Sequence, residues 1–176
     1  MLIRVSAPAL AAAVLAIAGS SPATAAPVDY GALPVNPNVI TDSSAYAPAP
    51  LVQNPGGQPG VEAAFTHRDS TRTITETILV LPDPSAAVAA TERNRSELGT
   101  VVINQKTQPL EVGQGGTLVS GTSPDGTEAV SVLLFTQGDA AAQIEFAGPL
   151  ADPVPVELVS DLGRQQATTI TQQLGT

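Results

Sequence analysis

His67 is the only histidine in 176 residues, and it stands two positions before Asp69 and three before Ser70. Acid, base and hydroxyl are the parts of a nucleophilic triad, in which one group orients the base and another is bonded to it. Three such groups in one short turn rarely reach that geometry, because the parts normally come from separate elements. No Gly-x-Ser-x-Gly elbow occurs anywhere in the chain. His67-Arg68-Asp69 also spells part of a protein-kinase catalytic loop. The asparagine expected five residues after the aspartate is Ile74, and no glycine-rich nucleotide loop or strand lysine precedes the motif.

Glu76 raises a different chemistry. In "TITETILVL" strict alternation places it between Ile74 and Ile78 on the inward face of a strand. An unpaired carboxylate there has a raised pKa, and such groups sometimes mark functional sites. A small bulge, or a place at the sheet margin where the carboxylate meets water, would account for it without function.

"GQGG", Gly113 to Gly116, is the phosphate-cradle candidate. The dinucleotide fingerprint needs a glycine where Leu118 stands, and the phosphate-loop pattern needs a terminal Gly-Lys. Both also need a helix whose first amides meet the anion, whereas a strand-like run follows here. The glycines therefore read as a turn or bulge. Asn94-Arg95-Ser96 matches a glycosylation acceptor but falls within an expected helix, and the acids of "PDGTE" lack the spacing of a calcium loop.

Cysteine is absent and histidine is single, so thiolate metal sites, iron–sulfur clusters, cysteine nucleophiles and two-histidine sites from one chain are excluded. No cofactor motif is present and no cofactor is expected. The formal charge of −9 repels phosphate backbones and anionic lipid heads, so no nucleic-acid partner is expected.

The elements that must position these residues begin after an export signal. Arg4 supplies a positive start, Val5 to Ala18 an apolar run, and Ala23-Thr24-Ala25 a peptidase site, so residues 1–25 read as a cleaved signal peptide. The run is shorter than the ~20 residues of a spanning helix, so no stable membrane insertion is expected after cleavage. Residues 26–60 hold seven of the sixteen prolines and show no period, which reads as an irregular, proline-rich arm. Tyr30, Leu33, Val35, Val39, Ile40, Tyr46, Leu51 and Val52 within it are apolar enough to lie partly against the domain that follows, residues 61–176.

There "VEAAFTH" and "RTITETILVL" form a hairpin that pairs Phe65 with Ile74, Ala63 with Glu76 and Val61 with Ile78. Asp83 and Pro84 open a helix that Gly99 would end, with Ala87, Ala90, Asn94 and Leu98 along one side. A short strand near "TQPLEV" comes next. "TLVSGT" and "EAVSVLLF" follow, joined through Pro124, Asp125 and a left-handed Gly126 as a three-residue hairpin. The turn into "AAAQIEF" admits two readings. A two-residue loop at Gly138-Asp139 pairs Phe135 with Ala142 and Leu133 with Ile144. A three-residue loop groups Val130, Val132 and Leu134 with Ala142, Ile144 and Phe146, and apolar matching favours it. Val159, Gly163, Ala167, Ile170 and Leu174 then mark a closing helix.

The expected fold is α+β: an antiparallel sheet of five to six strands in the order β-β-α-β-β-β-β-α, with both helices on one face. Val130 to Phe135 is apolar on both sides. The second face would thus need the arm, a ligand or another protein to cover it.

The succession from "TITETILVLPDPSAAVAATERNRSELG" to "GTLVSGTSPDGTEAVSVLLFTQGDAAAQIEFAG" resembles small exported proteins of mycobacteria and their relatives, in particular LpqN-type lipoproteins. The likeness spans about residues 60–174 and rests on element order. The chain departs from it in lacking a lipidation cysteine. It implies an envelope or secreted binding protein with no catalytic residues to transfer. Three readings follow. The leading one is a secreted, non-enzymatic binding module whose candidate surface includes Leu133, Phe135, Glu76 and His67. Its partner would be a protein or an apolar small molecule. The others are an enzyme using Glu76 or His67, and a structural or antigenic envelope protein.

Overall fold

The computed structural model describes residues 29–175, and the expected signal peptide lies outside the described residues. Strands β3 (Gly60–His67) and β4 (Thr73–Val80) lead to helix α1 (Pro84–Glu97). Then come β5 (Ile103–Pro109), β6 (Gln114–Thr122), β7 (Glu128–Gln137), β8 (Ala140–Pro149) and helix α2 (Val156–Leu174). This is the expected order. Two short strands before it, β1 (Tyr46–Pro48) and β2 (Val52–Gln53), both pair with β3 and raise the strand count to eight. The sheet runs β1-β3-β4-β8-β7-β6-β5, and every neighbouring pair is antiparallel.

The hairpin of β3 and β4 has the register that apolar matching dictates, with Phe65 opposite Ile74, Ala63 opposite Glu76 and Val61 opposite Ile78. At the turn between β7 and β8 the favoured three-residue loop is corrected. Leu133 pairs with Ile144, Phe135 with Ala142 and Gln137 with Ala140, leaving the two-residue loop Gly138-Asp139. Gly138 takes φ 59°, the left-handed backbone this tight turn demands. Apolar matching failed to discriminate because β7 is apolar on both faces, so turn chemistry set the register. The loop between β6 and β7 is also longer than expected. Gly126 is left-handed, but Ser123 bonds to Glu128, so four residues intervene, and the Ser123 and Asp125 side chains cap Thr127 and Glu128.

The two-sided character of β7 has a simple cause. Leu133 and Phe135 join the core beneath α2, whereas Val132 and Leu134 join a second core with Leu98 just after α1. Ala87 and Ala90 of α1 pack on Ala141 of β8, whose neighbour Ala142 belongs to the opposite core. The helices therefore occupy opposite faces of the sheet, which corrects the expectation that both share one. The face left for an arm or ligand is covered by the protein's own helix.

Asp83 caps α1 by accepting from the Ala86 N–H at 2.8 Å, with Pro84 as the first helical residue. The helix does not end on a left-handed Gly99: it tightens into a 3-10 turn over Leu98–Thr100, and Leu98 is drawn into the core. In α2, a Cβ on Gly163 would stand 2.5 Å from Leu133 Cδ2 and 2.9 Å from Val112 Cγ1, so the missing side chain sets how closely this helix approaches the sheet. The strand expected near "TQPLEV" lies earlier, at Ile103–Pro109, and forms an edge. From Asn104 to Pro109 its residues are exposed, and its pairing slips between Ile103 and Lys106 at a left-handed Asn104. Within residues 29–60, Leu33, Val35, Ala45 and Tyr46 are buried in the core beneath α2.

Candidate functional site

At one end of the sheet the loop from His67 to Arg72 folds back on itself. The His67 N–H donates to the Arg72 carbonyl, and Ser70 turns the chain at φ 60°. Asp69 organises the turn: its Oδ1 accepts from the Thr71 N–H at 2.9 Å, the Thr71 hydroxyl at 2.7 Å and His67 Nδ1 at 2.7 Å. The Thr71 hydroxyl, then His67, hold the Asp69 carboxyl well below the usual range. An ionised carboxylate only accepts, so His67 carries a proton on Nδ1 against it. The acid–base half of a triad thus forms within one turn. The hydroxyl half does not: Ser70 makes no side-chain hydrogen bond to the imidazole, and Nε2 has no partner among the described residues.

Register brings the rest of the site together. Tyr46 of β1 lies opposite His67, and their rings meet edge to face with centroids 5.2 Å apart. Burial pushes the Tyr46 hydroxyl pKa up. The Arg72 guanidinium pairs with Asp152, on the turn between β8 and α2. The Arg72 stem lies over Gly148, where a Cβ would come within 3.0 Å of Cγ. Thr41 and Ala45 contribute to one wall, and Val154 and Leu158 form an apolar one. Together they enclose a cleft of about 320 Å³ that His67, Tyr46 and Arg72 face. A small cavity of about 20 Å³ shares Arg72, Tyr46 and Val154 and reaches toward Ile74 and Phe146.

Of the four sequence-derived candidates, only His67 lines this cleft. Leu133 and Phe135 have no exposed surface, being buried in the core beneath α2, so they present nothing to a partner in this fold. Glu76 is inward, as alternation requires, and fully buried. Its Oε2 accepts from the Val35 N–H at 2.9 Å, Oε1 has no partner among the described residues, and burial pushes its pKa up to about 8. The same Val35 N–H reaches Gln166 Oε1 at 3.1 Å, and Gln166 Nε2 donates to the Leu33 carbonyl at 2.7 Å. "GQGG" forms a bulge: Gly113 and Gly115 take φ 49° and 66°, the pairing with β7 slips between Gln114 and Thr117, and β6 continues where a cradle would need a helix.

Sequence reading missed Tyr46, Arg72, Asp152 and Gln166 as site residues. Gln166 carried a usable signal, since it falls seven residues after Val159 and three after Gly163, on the inner side of the helix. Arg72 and Asp152 are eighty residues apart, and only the pairing of β4 with β8 makes them neighbours.

No protein-family model matches the chain, and no curated protein matches it in sequence. Among solved structures the chain is similar to the extracellular domain of PknH from Mycobacterium tuberculosis. The TM-score is 0.53 at 10% identity, over 85% of this chain and 98% of that one. At that identity the likeness establishes a shared fold, and nothing in it is particular to LpqN-type lipoproteins. No helix among the described residues is long and apolar enough to cross a membrane.

Proposed function

We propose that the chain is a secreted, non-enzymatic binding module of a bacterial envelope or culture medium, and that it takes its partner in the cleft beside His67. One observation carries the reading. A concave site with apolar walls from Val154 and Leu158 gathers an imidazole, a phenol ring and a guanidinium, the mixture expected of a pocket that orients an otherwise apolar ligand. The fold shared with an extracellular domain and the expected signal peptide support export, and the resemblance to LpqN-type proteins in element order belongs to the same reading.

Native mass spectrometry of the protein recovered from its own culture medium tests it. A co-purified small molecule or protein is expected, and it should be lost from a Leu158→Arg variant that fills the cleft yet unfolds like the parent. Retention by that variant, or a mass equal to the bare chain throughout, refutes the assignment. A second reading, general-base catalysis by His67, is favoured by the 2.7 Å contact with Asp69, which engages Nδ1 and leaves Nε2 without a partner among the described residues. Hydrolysis of small esters that disappears in His67→Ala would select it.

A further inference from the structure

Outside the cleft, the most unusual chemistry in the molecule is the buried group where residues 33–35 cross the sheet. Leu33 and Val35 sink two side chains, two residues apart, into the core under α2. Their backbone is held by side chains from elsewhere. Gln166 of α2 donates to the Leu33 carbonyl and accepts from the Val35 N–H, and Glu76 of β4 accepts from that N–H as well. Farther along, the Asn38 side chain both donates to and accepts from the Tyr46 backbone, at 2.8 Å each way. Residues 33–46 are thereby tied down at both ends, and Thr41 and Ala45 between those ties line the cleft.

We propose that this segment is a strap over the cleft, latched at Val35 by Glu76 and Gln166, and that loss of the Glu76 proton releases it. The inference rests on the cleft reading for its functional consequence alone. The groups facing Glu76 are its cross-strand neighbours Ala63 and Ile144, Val35 of the strap and Gln166 of α2. None of them ionises, so no cation waits to pair with the carboxylate. Its pKa, raised to about 8 by burial against the lowering effect of the Val35 N–H, agrees with that geometry. Oε1 lacks a partner among the described residues in either protonation state, but the neutral acid brings no charge into the dry site, whereas a carboxylate there has no counter-charge and only the Val35 N–H to meet it. Lifting residues 33–35 removes the segment whose Val35 N–H is bonded directly to the carboxyl and so lets water reach it. The β1 pairing with β3 and the Arg68 bonds to Asp42 and the Ala45 carbonyl stay in place, so release loosens the leading part of the strap without dismantling the sheet. Neutral and acidic media keep the strap down, and alkaline media free it.

Amide hydrogen exchange of the secreted chain, read by mass spectrometry from pH 5 to 9 and corrected for intrinsic rates, tests this directly. Residues 30–41 are expected to exchange at least a hundredfold faster than β7, through an opening that spares the sheet. Their protection should fall about tenfold per pH unit up to about pH 8 and then level off. In Glu76→Gln the same segment should show protection independent of pH. The inference is overturned if the wild-type segment is equally protected at every pH, if it exchanges only as fast as β7, or if the variant keeps the wild-type slope. The wild-type series stands alone should the variant fold poorly. A negative result would leave the cleft assignment untouched, because that is decided by what co-purifies with the protein.

Discussion

Replacing Glu76 by glutamine removes one ionisable group from the core, and its effect on stability can be worked through before any measurement. The carboxyl titrates near 4.5 when unfolded and is pushed up to about 8 in the fold, because burial disfavours the charged form. Between those values the native state holds a proton that the unfolded chain has lost. Stability therefore falls as pH rises, by at most about 1.4 kcal/mol per pH unit for one proton. Below pH 4.5 both states are protonated and the slope vanishes. Above pH 8 both are ionised and it vanishes again, after a total loss on the order of 5 kcal/mol. Glutamine has the same shape and keeps an acceptor for the Val35 N–H, but it does not titrate. Urea unfolding of both proteins at pH 5, 6, 7, 8 and 9 should thus show the variant gaining on the wild type across the window, with the difference flattening near pH 8. Burial also raises the Glu145 pKa, but that group is common to both proteins and cancels in the difference. A difference that stays constant from pH 5 to 8 would show that Glu76 is hydrated or paired in solution, and the argument from its burial would fail.

Gly163→Ala sets two effects against each other. Helix propensity gains about 1 kcal/mol, but the new methyl meets Leu133 and Val112 at distances that force a shift, an overpacking cost of about 1–3 kcal/mol. Net destabilisation of about 0.5–2 kcal/mol is expected by urea unfolding, and a stabilised variant would show that α2 sits farther from the sheet. Phe135→Ala should cost about 3–5 kcal/mol, as for a large core residue; a loss under 1 kcal/mol would mean the side chain is not enclosed. Long-range nitrogen–proton correlation spectra of neutral His67 should place its proton on Nδ1. Asp69→Asn should shift the population toward the other tautomer, and a wild-type proton on Nε2 would contradict the Asp69 contact.

Strand alternation and helix punctuation were legible because each is a local rule. The register of β3 on β4, the Asp83-Pro84 helix start and the inward Glu76 all followed from neighbours in the chain. The turn at Gly138 and the side of the sheet each helix takes were not legible, for one shared reason. A strand apolar on both faces carries no mark of which face is which, so β7 was compatible with either register and with either placement of α1. The cleft was legible only at His67. Tyr46, Arg72 and Asp152 come together through strand pairings between distant segments, and their spacing in the chain carries no trace of this.

The outer margin of β5 has a consequence for a chain that, lacking cysteine, can have no covalent brace. An unpaired strand is an invitation for another copy to stack alongside. Here the run "INQKTQP" answers with a charge at Lys106, a donor missing at Pro109 and a kink at Asn104 that breaks the straight row of amides. Self-association into fibres is discouraged at this border by chemistry that takes no part in holding the fold together.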